Sequence, residues 1–148
     1  MNTVVLRDGK RIGHNTDGWG FAEGFRRGLP DVALGHVVQL GAGGAGAAVA
    51  HAALTLGVKN LTIFDIDADR AERLAASLSD RFGKGRAVAG ARLEQAMAAA
   101  DGLIHATPTG MAKHPGLPLP ASLLHAGLWV AEYRIFSAAD RATARRKK

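Results

Sequence analysis

The chain has no cysteine. That excludes a disulfide framework and any cysteine-based metal site, and it fits a cytoplasmic setting. Aromatic residues are scarce, at 5%, although 47% of the chain is hydrophobic. The apolar mass is therefore Ala, Val and Leu, which suits an α/β domain. No apolar run reaches the length of a membrane span, and the N-terminus lacks a signal-peptide pattern. His51, His105, His114 and His125 show no metal-ligand spacing. We read them as core-edge or surface histidines and expect no metal. At 148 residues the chain is one ordinary domain, large enough to bury a core. The net charge is +6, much of it in Arg141, Arg145, Arg146, Lys147 and Lys148. No aromatic residue follows Phe136 to stack on bases, so a solvated basic end is expected rather than a nucleic-acid site.

What is present is organised around one stretch. The apolar run His36 to Leu40 is short enough for a buried strand. It runs into G-x-G-x-x-G at Gly41, Gly43 and Gly46, and Ala45 to Leu56 then reads as a helix. This order is what a dinucleotide site needs. Gly41 permits the tight turn, Gly43 lets backbone N–H groups approach a pyrophosphate, and Gly46 lets the helix pack closely on the sheet. The helix N-terminus offers N–H groups and a positive dipole end. The candidate cofactor residues are thus Gly41, Ala42, Gly43, Gly44, Ala45 and Gly46. A lone glycine motif is a weak signal, but a second strand, Asn60 to Phe64, ends at Asp65, 19 residues after Gly46. That is the place for a carboxylate accepting hydrogen bonds from an adenosine ribose.

The remaining segments fill out the same plan. Thr3 to Arg7 and Lys10 to Gly13 read as two short strands joined at the hairpin turn Asp8-Gly9. Asn15, Thr16 and Asp17 are all possible N-caps for a helix across Trp19 to Arg27, and on composition Asp17 reads as a cap. Ala68 to Phe82 is a helix by the recurrence of Ala71, Leu74, Ala75 and Leu78. Arg86 to Ala89 is a candidate third strand of the sheet, Leu93 to Ala100 a short helix, and Leu103 to Ala106 the fourth strand. The loop Thr107-Pro108-Thr109-Gly110-Met111 follows at that strand's carboxyl end, the edge where ligands sit in open α/β sheets. One helical turn at Ser122 to His125 precedes a fifth strand, Leu128 to Ala131. The expected fold is a Rossmann-like, doubly wound, mostly parallel sheet with an N-terminal hairpin.

Several segments, in order and spacing, resemble the shikimate/quinate dehydrogenase family. They are Asn2-Thr3, Gly13-x-Asn15-Thr16-Asp17-x-x-Gly20, Gly41-Ala42-Gly43-Gly44-Ala45-Gly46 and Ala106-Thr107-Pro108-Thr109-Gly110-Met111. The N-T-D and A-T-P-x-G-M elements are far more specific than the glycines. The resemblance implies an NAD(P)-dependent oxidoreductase acting on a ring hydroxyl of shikimate or quinate, or on the 3-dehydro ketone. It implies that Asp17 pairs with a lysine at the reacting hydroxyl, as substrate contact and proton-transfer group. It also implies that Asn2 bonds substrate hydroxyls and that Thr107, Gly110 and Met111 stand beside the nicotinamide. Asp65-Ile66-Asp67 stands where NADP-using members carry an Asn-Arg-Thr-like stretch, and Arg70 lies a helical turn further on, so NAD is expected over NADP.

The departures from the family are as informative. The Ser-rich carboxylate-binding motif and the catalytic lysine have no match here, and Lys10 lies in the hairpin turn. Residues 1–17 therefore read as the edge of a substrate domain, 18–131 as the dinucleotide-binding domain, and 132–148 as a divergent basic tail. We expect a chain truncated at both ends, with Asp17 lacking a partner and no turnover without the substrate domain. The competing reading is a non-catalytic dinucleotide-binding module, such as a redox sensor or docking subunit. The tail is a candidate for a slipped reading frame. Suitable synonymous codons for Phe136 through Lys147, read one nucleotide downstream, can spell Phe-Arg-Pro-Leu-Thr-Glu-Arg-Leu-Leu-Ala-Ala-Arg, which would restore the family pattern.

Overall fold

The structure, a computed structural model, describes residues 3–111 and 113–133. Asn2 and the tail from residue 134 lie outside them, so the expectations placed there find no structural counterpart. The first element is a hairpin of β1 (Thr3–Arg7) and β2 (Lys10–His14). Asp8 (φ 50°) and Gly9 (φ 71°) both take left-handed backbone, the turn that matches the twist of paired strands. Val4, Val5, Leu6 and Ile12 are exposed on the hairpin.

Helix α1 (Thr16–Gly28) begins three residues earlier than expected, because Asn15 caps it by accepting the Asp17 N–H at 3.1 Å. Its i, i+4 pair, Phe21 and Phe25, is buried with ring centroids 5.8 Å apart. Then β3 (His36–Leu40), α2 (Gly44–Leu56), β4 (Asn60–Phe64), α3 (Ala68–Phe82) and β5 (Ala87–Ala89) alternate, followed by α4 (Leu93–Ala98), β6 (Gly102–His105) and β7 (Trp129–Glu132). A 3₁₀ turn at Ala121–Leu123 stands where one helical turn is expected. Bounds apart, every element read from the sequence is present.

The five strands β3 to β7 form one parallel sheet in the order β5-β4-β3-β6-β7. The chain builds outward from β3 to β5, then returns to pair β6 with the other side of β3. Right-handed crossovers place helices on one face before that reversal and on the other after it. Alternate residues of β3 serve the two faces. Val37 packs in the larger core with Phe21, Phe25, Val49 and Ile63, whereas Val38 and Leu40 pack with Met97, Leu103 and Leu119. Trp129 locks the last strand in place. Its ring lies where a Cβ on Gly102 would be, and its indole N–H donates to the Ala33 carbonyl at 2.8 Å. Because β7 runs through Glu132, that residue, assigned to the tail on sequence grounds, belongs to the sheet.

Candidate functional site

The reversal of strand order leaves a crevice beyond the carboxyl ends of β3, β4 and β6, the position at which open α/β sheets bind ligands. A cleft of about 560 Å³ lies there. Gly41, Gly43, Asp65 and Arg70 line one side, and Thr107 and Thr109 the other. Gly44, Ala45 and Gly46 form the first turn of α2 behind the loop.

The glycines are used as the motif requires. Gly41 has φ 102°, and a Cβ there would lie 2.5 Å from the Ala106 carbonyl oxygen. A Cβ on Gly46 would overlap the Gly41 carbonyl, so α2 can sit this close only with glycine at that point. A Cβ on Gly43, by contrast, would meet only open space at the cleft wall. Helix α2 has no side-chain cap and no acid in its first turn, so its first N–H groups are not taken up by side chains of the helix itself.

Nothing in our reading of the sequence singles out Gln39. It is fully buried, and its Nε2 donates to the carbonyls of Gly41 (2.9 Å) and Gly46 (2.8 Å). One amide thus ties the turn to the helix from beneath. Its Oε1 is buried without a hydrogen-bond partner among the described residues. The available signal is a polar residue inside an otherwise apolar buried strand, a placement that requires hydrogen bonds to be stable.

Asp65 is almost buried, with its side chain 7% exposed. Its Oδ2 accepts the Ala42 N–H at 2.7 Å and its Oδ1 the Asp67 N–H at 2.9 Å, so it fastens the glycine loop to the end of β4. A carboxylate has about four acceptor positions, and these two leave others for a ligand. The Arg70 guanidinium is 3.8 Å from Asp65 and 3.7 Å from Asp67. This corrects the expectation that Arg70 stands apart from the site: Asp67 caps α3, and the first turn brings Arg70 back to the acids.

The wall after β6 is held by side chains. His105, read as a core-edge or surface residue, is buried at 3% exposure and bonded at both ring nitrogens. Nδ1 lies 3.1 Å from Glu132 Oε1 and Nε2 lies 2.6 Å from Thr107 Oγ1. The Thr107 oxygen also accepts the Thr109 N–H at 3.2 Å. Gly110 (φ 89°) and Met111 lie in the turn beyond, where the Gly110 N–H donates to the His114 carbonyl and Met111 bridges His114. Of the residues expected beside a nicotinamide, Thr107 reaches the cleft wall, while Gly110 and Met111 shape the loop behind it.

Asp17 is not the cap that composition alone favours, and it is not without a partner. Its Oδ1 accepts the Tyr133 O–H at 2.8 Å. Tyr133 follows β7, where its backbone N–H donates to the His105 carbonyl at 2.8 Å. Burial, the hydrogen bond to Asp17 and that carboxylate's charge push the phenol up to about 12. The end of β7 therefore carries one contact to the A-T-P loop, through Glu132 and His105, and one to the start of α1, through Tyr133. Among the described residues, no group of three or more His, Cys, Asp or Glu is arranged to hold a metal ion. No described helix is long and apolar enough to cross a membrane.

The family model of the alanine dehydrogenase/PNT C-terminal domain matches residues 10–121. The chain belongs to that family. Its curated relatives include a shikimate dehydrogenase (NADP(+)) of Streptomyces avermitilis, 61% identical over 134 residues, covering 89% of this chain and 46% of the relative. A quinate/shikimate dehydrogenase (NAD(+)) of Corynebacterium efficiens is 48% identical over 136 residues, covering 89% and 48%. Among solved structures, the quinate dehydrogenase of Corynebacterium glutamicum in complex with NAD superposes with a TM-score of 0.82 at 43% identity, over 87% of this chain and 47% of that one. The shikimate 5-dehydrogenase of Listeria monocytogenes in complex with shikimate and NAD gives 0.74 at 27% identity, over 87% and 48%. The resemblance to shikimate/quinate dehydrogenases is thus borne out, as is the Rossmann-like fold. The chain spans about half the length of the curated relatives it matches.

Proposed function

We propose that this chain is the dinucleotide-binding half of an oxidoreductase that transfers a hydride between NAD and shikimate, quinate or the 3-dehydro ketone. The observation that carries the reading is the cleft itself. A glycine loop braced from below by Gln39 and from the side by Asp65 lies at the reversal of strand order, opposite the Thr107 loop. Gly41 through Gly46 would hold the pyrophosphate, and Asp65 the adenosine ribose. Asp17, with Asn2, would contact the substrate, and proton transfer at Asp17 would accompany hydride transfer. Such a chemistry belongs in the cytoplasm, where a chain without cysteine is at home.

Charge supports NAD over NADP, although the Streptomyces relative is named for NADP(+). A 2′-phosphate at the ribose would meet the carboxylates of both Asp65 and Asp67 at short range. Arg70, the cation at hand, already stands between those two acids and would have to leave them. Calorimetric titration with both cofactors tests this: NAD should bind more tightly, and equal or tighter NADP binding would sink the preference. Asp65→Ala should weaken NAD and narrow the gap.

Positioning and proton transfer each contribute orders of magnitude to a dehydrogenase. With no match to the family's lysine in its 148 residues, this chain should bind NAD without measurable turnover of shikimate or quinate. Steady-state oxidation at an ordinary enzyme rate by the purified chain would refute that. Turnover on supplying a separately expressed substrate domain would separate the dehydrogenase reading from that of a non-catalytic dinucleotide module.

A further inference from the structure

The cleft wall after β6 carries three side chains to which the dinucleotide reading assigns no joint task. Glu132, His105 and Thr107 are joined in sequence at 3.1 Å and 2.6 Å, and the histidine at their centre is buried. A carboxylate only accepts, so His105 Nδ1 carries the ring proton and donates to Glu132. In the neutral ring Nε2 is then an acceptor. While the ring is neutral, the Thr107 O–H donates to it. The same oxygen accepts the Thr109 N–H, which leaves acceptor capacity alone on the hydroxyl of this cleft-lining residue. An untethered threonine would rotate and offer a ligand either a donor or an acceptor. With His105 neutral, the relay holds the hydroxyl in the acceptor role before any ligand arrives.

Strand order says which part of a dinucleotide meets that hydroxyl. β4 and β6 flank β3 on opposite sides. Asp65, at the end of β4, takes the adenosine ribose, and the pyrophosphate crosses the glycine loop after β3. The nicotinamide half then falls at β6. We propose that His105 is a positioning residue that holds the Thr107 hydroxyl as an acceptor for the carboxamide N–H of nicotinamide. This rests on the dinucleotide reading of the cleft. It makes the site selective for the amide: a nicotinic acid ring would bring a carboxylate, another acceptor, against the Thr107 lone pair.

The test compares NAD, its deamido analogue (nicotinic acid adenine dinucleotide) and ADP-ribose, titrated calorimetrically into the 148-residue chain. One hydrogen bond and one avoided acceptor clash should favour NAD over the deamido analogue by about five- to tenfold or more. Thr107→Val and His105→Phe should bring that ratio toward one and leave ADP-ribose binding unchanged, while Thr107→Ser should keep the ratio. An unchanged ratio in Thr107→Val overturns the proposal. So does a His105→Phe variant in which all three ligands weaken together, since that is the signature of a histidine that only supports the loop. ADP-ribose serves as the folding control in every variant. If the wild-type chain binds none of the three, the dinucleotide reading fails first and this proposal falls with it.

Discussion

The two walls of the cleft are built by different means. The β4 side is made mostly of backbone, with Gln39 close in sequence beneath it and Asp65, 23 positions from Ala42, beside it. Gly41 and Gly46 permit approaches that no side chain would allow, and Gln39 reaches Gly41 two residues on and Gly46 seven residues on. The β6–β7 side is made of side chains brought together from far apart. His105 meets Glu132 across 27 positions, and Asp17 meets Tyr133 across 116. The backbone wall tolerates almost no substitution at Gly41 and Gly46. A wall of side chains can be retuned one hydrogen bond at a time, and is complete only when the last strand is in place.

That contrast has consequences of decreasing size. The largest belongs to the backbone wall. Gly46→Val would drive a side chain into the Gly41 carbonyl and push α2 off the sheet end, and we expect NAD affinity to fall by about a hundredfold or more. Binding within tenfold of wild type would show that the loop relaxes, and the contrast between the walls would fail. Gln39→Leu should have an intermediate effect. It removes the donor shared by two carbonyls and leaves the Gly41 carbonyl underneath the loop unpaired, a loss of about 1–3 kcal/mol. A thermal melt should drop by several degrees and NAD should bind about tenfold more weakly. An unaltered affinity would mean that Asp65 alone holds the loop.

The smallest effect is read on the side-chain wall, and it can be read directly because Tyr133 is the chain's one tyrosine. A spectrophotometric titration of the phenol should give a midpoint of about 12 rather than the ordinary 10.0, and Asp17→Ala should move it back down. The native state holds the phenol proton more tightly than the unfolded chain does. The stabilisation is therefore complete below pH 10.0 and is lost as the pH rises through about 12. An unshifted midpoint in the wild-type chain would remove the link between α1 and the end of β7.

Legibility follows the same line. The order of strands and helices, the hairpin turn at Asp8-Gly9 and the glycine loop were all readable, because alternation, helical spacing and left-handed glycine positions are local properties. Asp65 was readable as the acid at the end of β4 but not in its duty of fastening the Ala42 N–H, which depends on where β4 ends beside β3. Arg70 was misplaced because spacing along a sequence does not say that a capped helix turns its first arginine back on the acids before it. Glu132 was assigned to a tail because a single glutamate after an apolar run looks like an ending; pairing in register with His105 makes it part of the sheet.

By itself, the sequence determined the sheet, its helices and the glycine turn. Period-two and 3.6-residue patterns, and the backbone angles that only glycine adopts freely, are set within a few residues. Only the tertiary structure decided that Asp17 has Tyr133 for a partner, that Gln39 braces the loop, and that His105 stands between Glu132 and Thr107. Those are contacts across strands and between layers. Their existence depends on the register in which β6 and β7 pair and on how α1 packs against the end of β7, which no local pattern encodes.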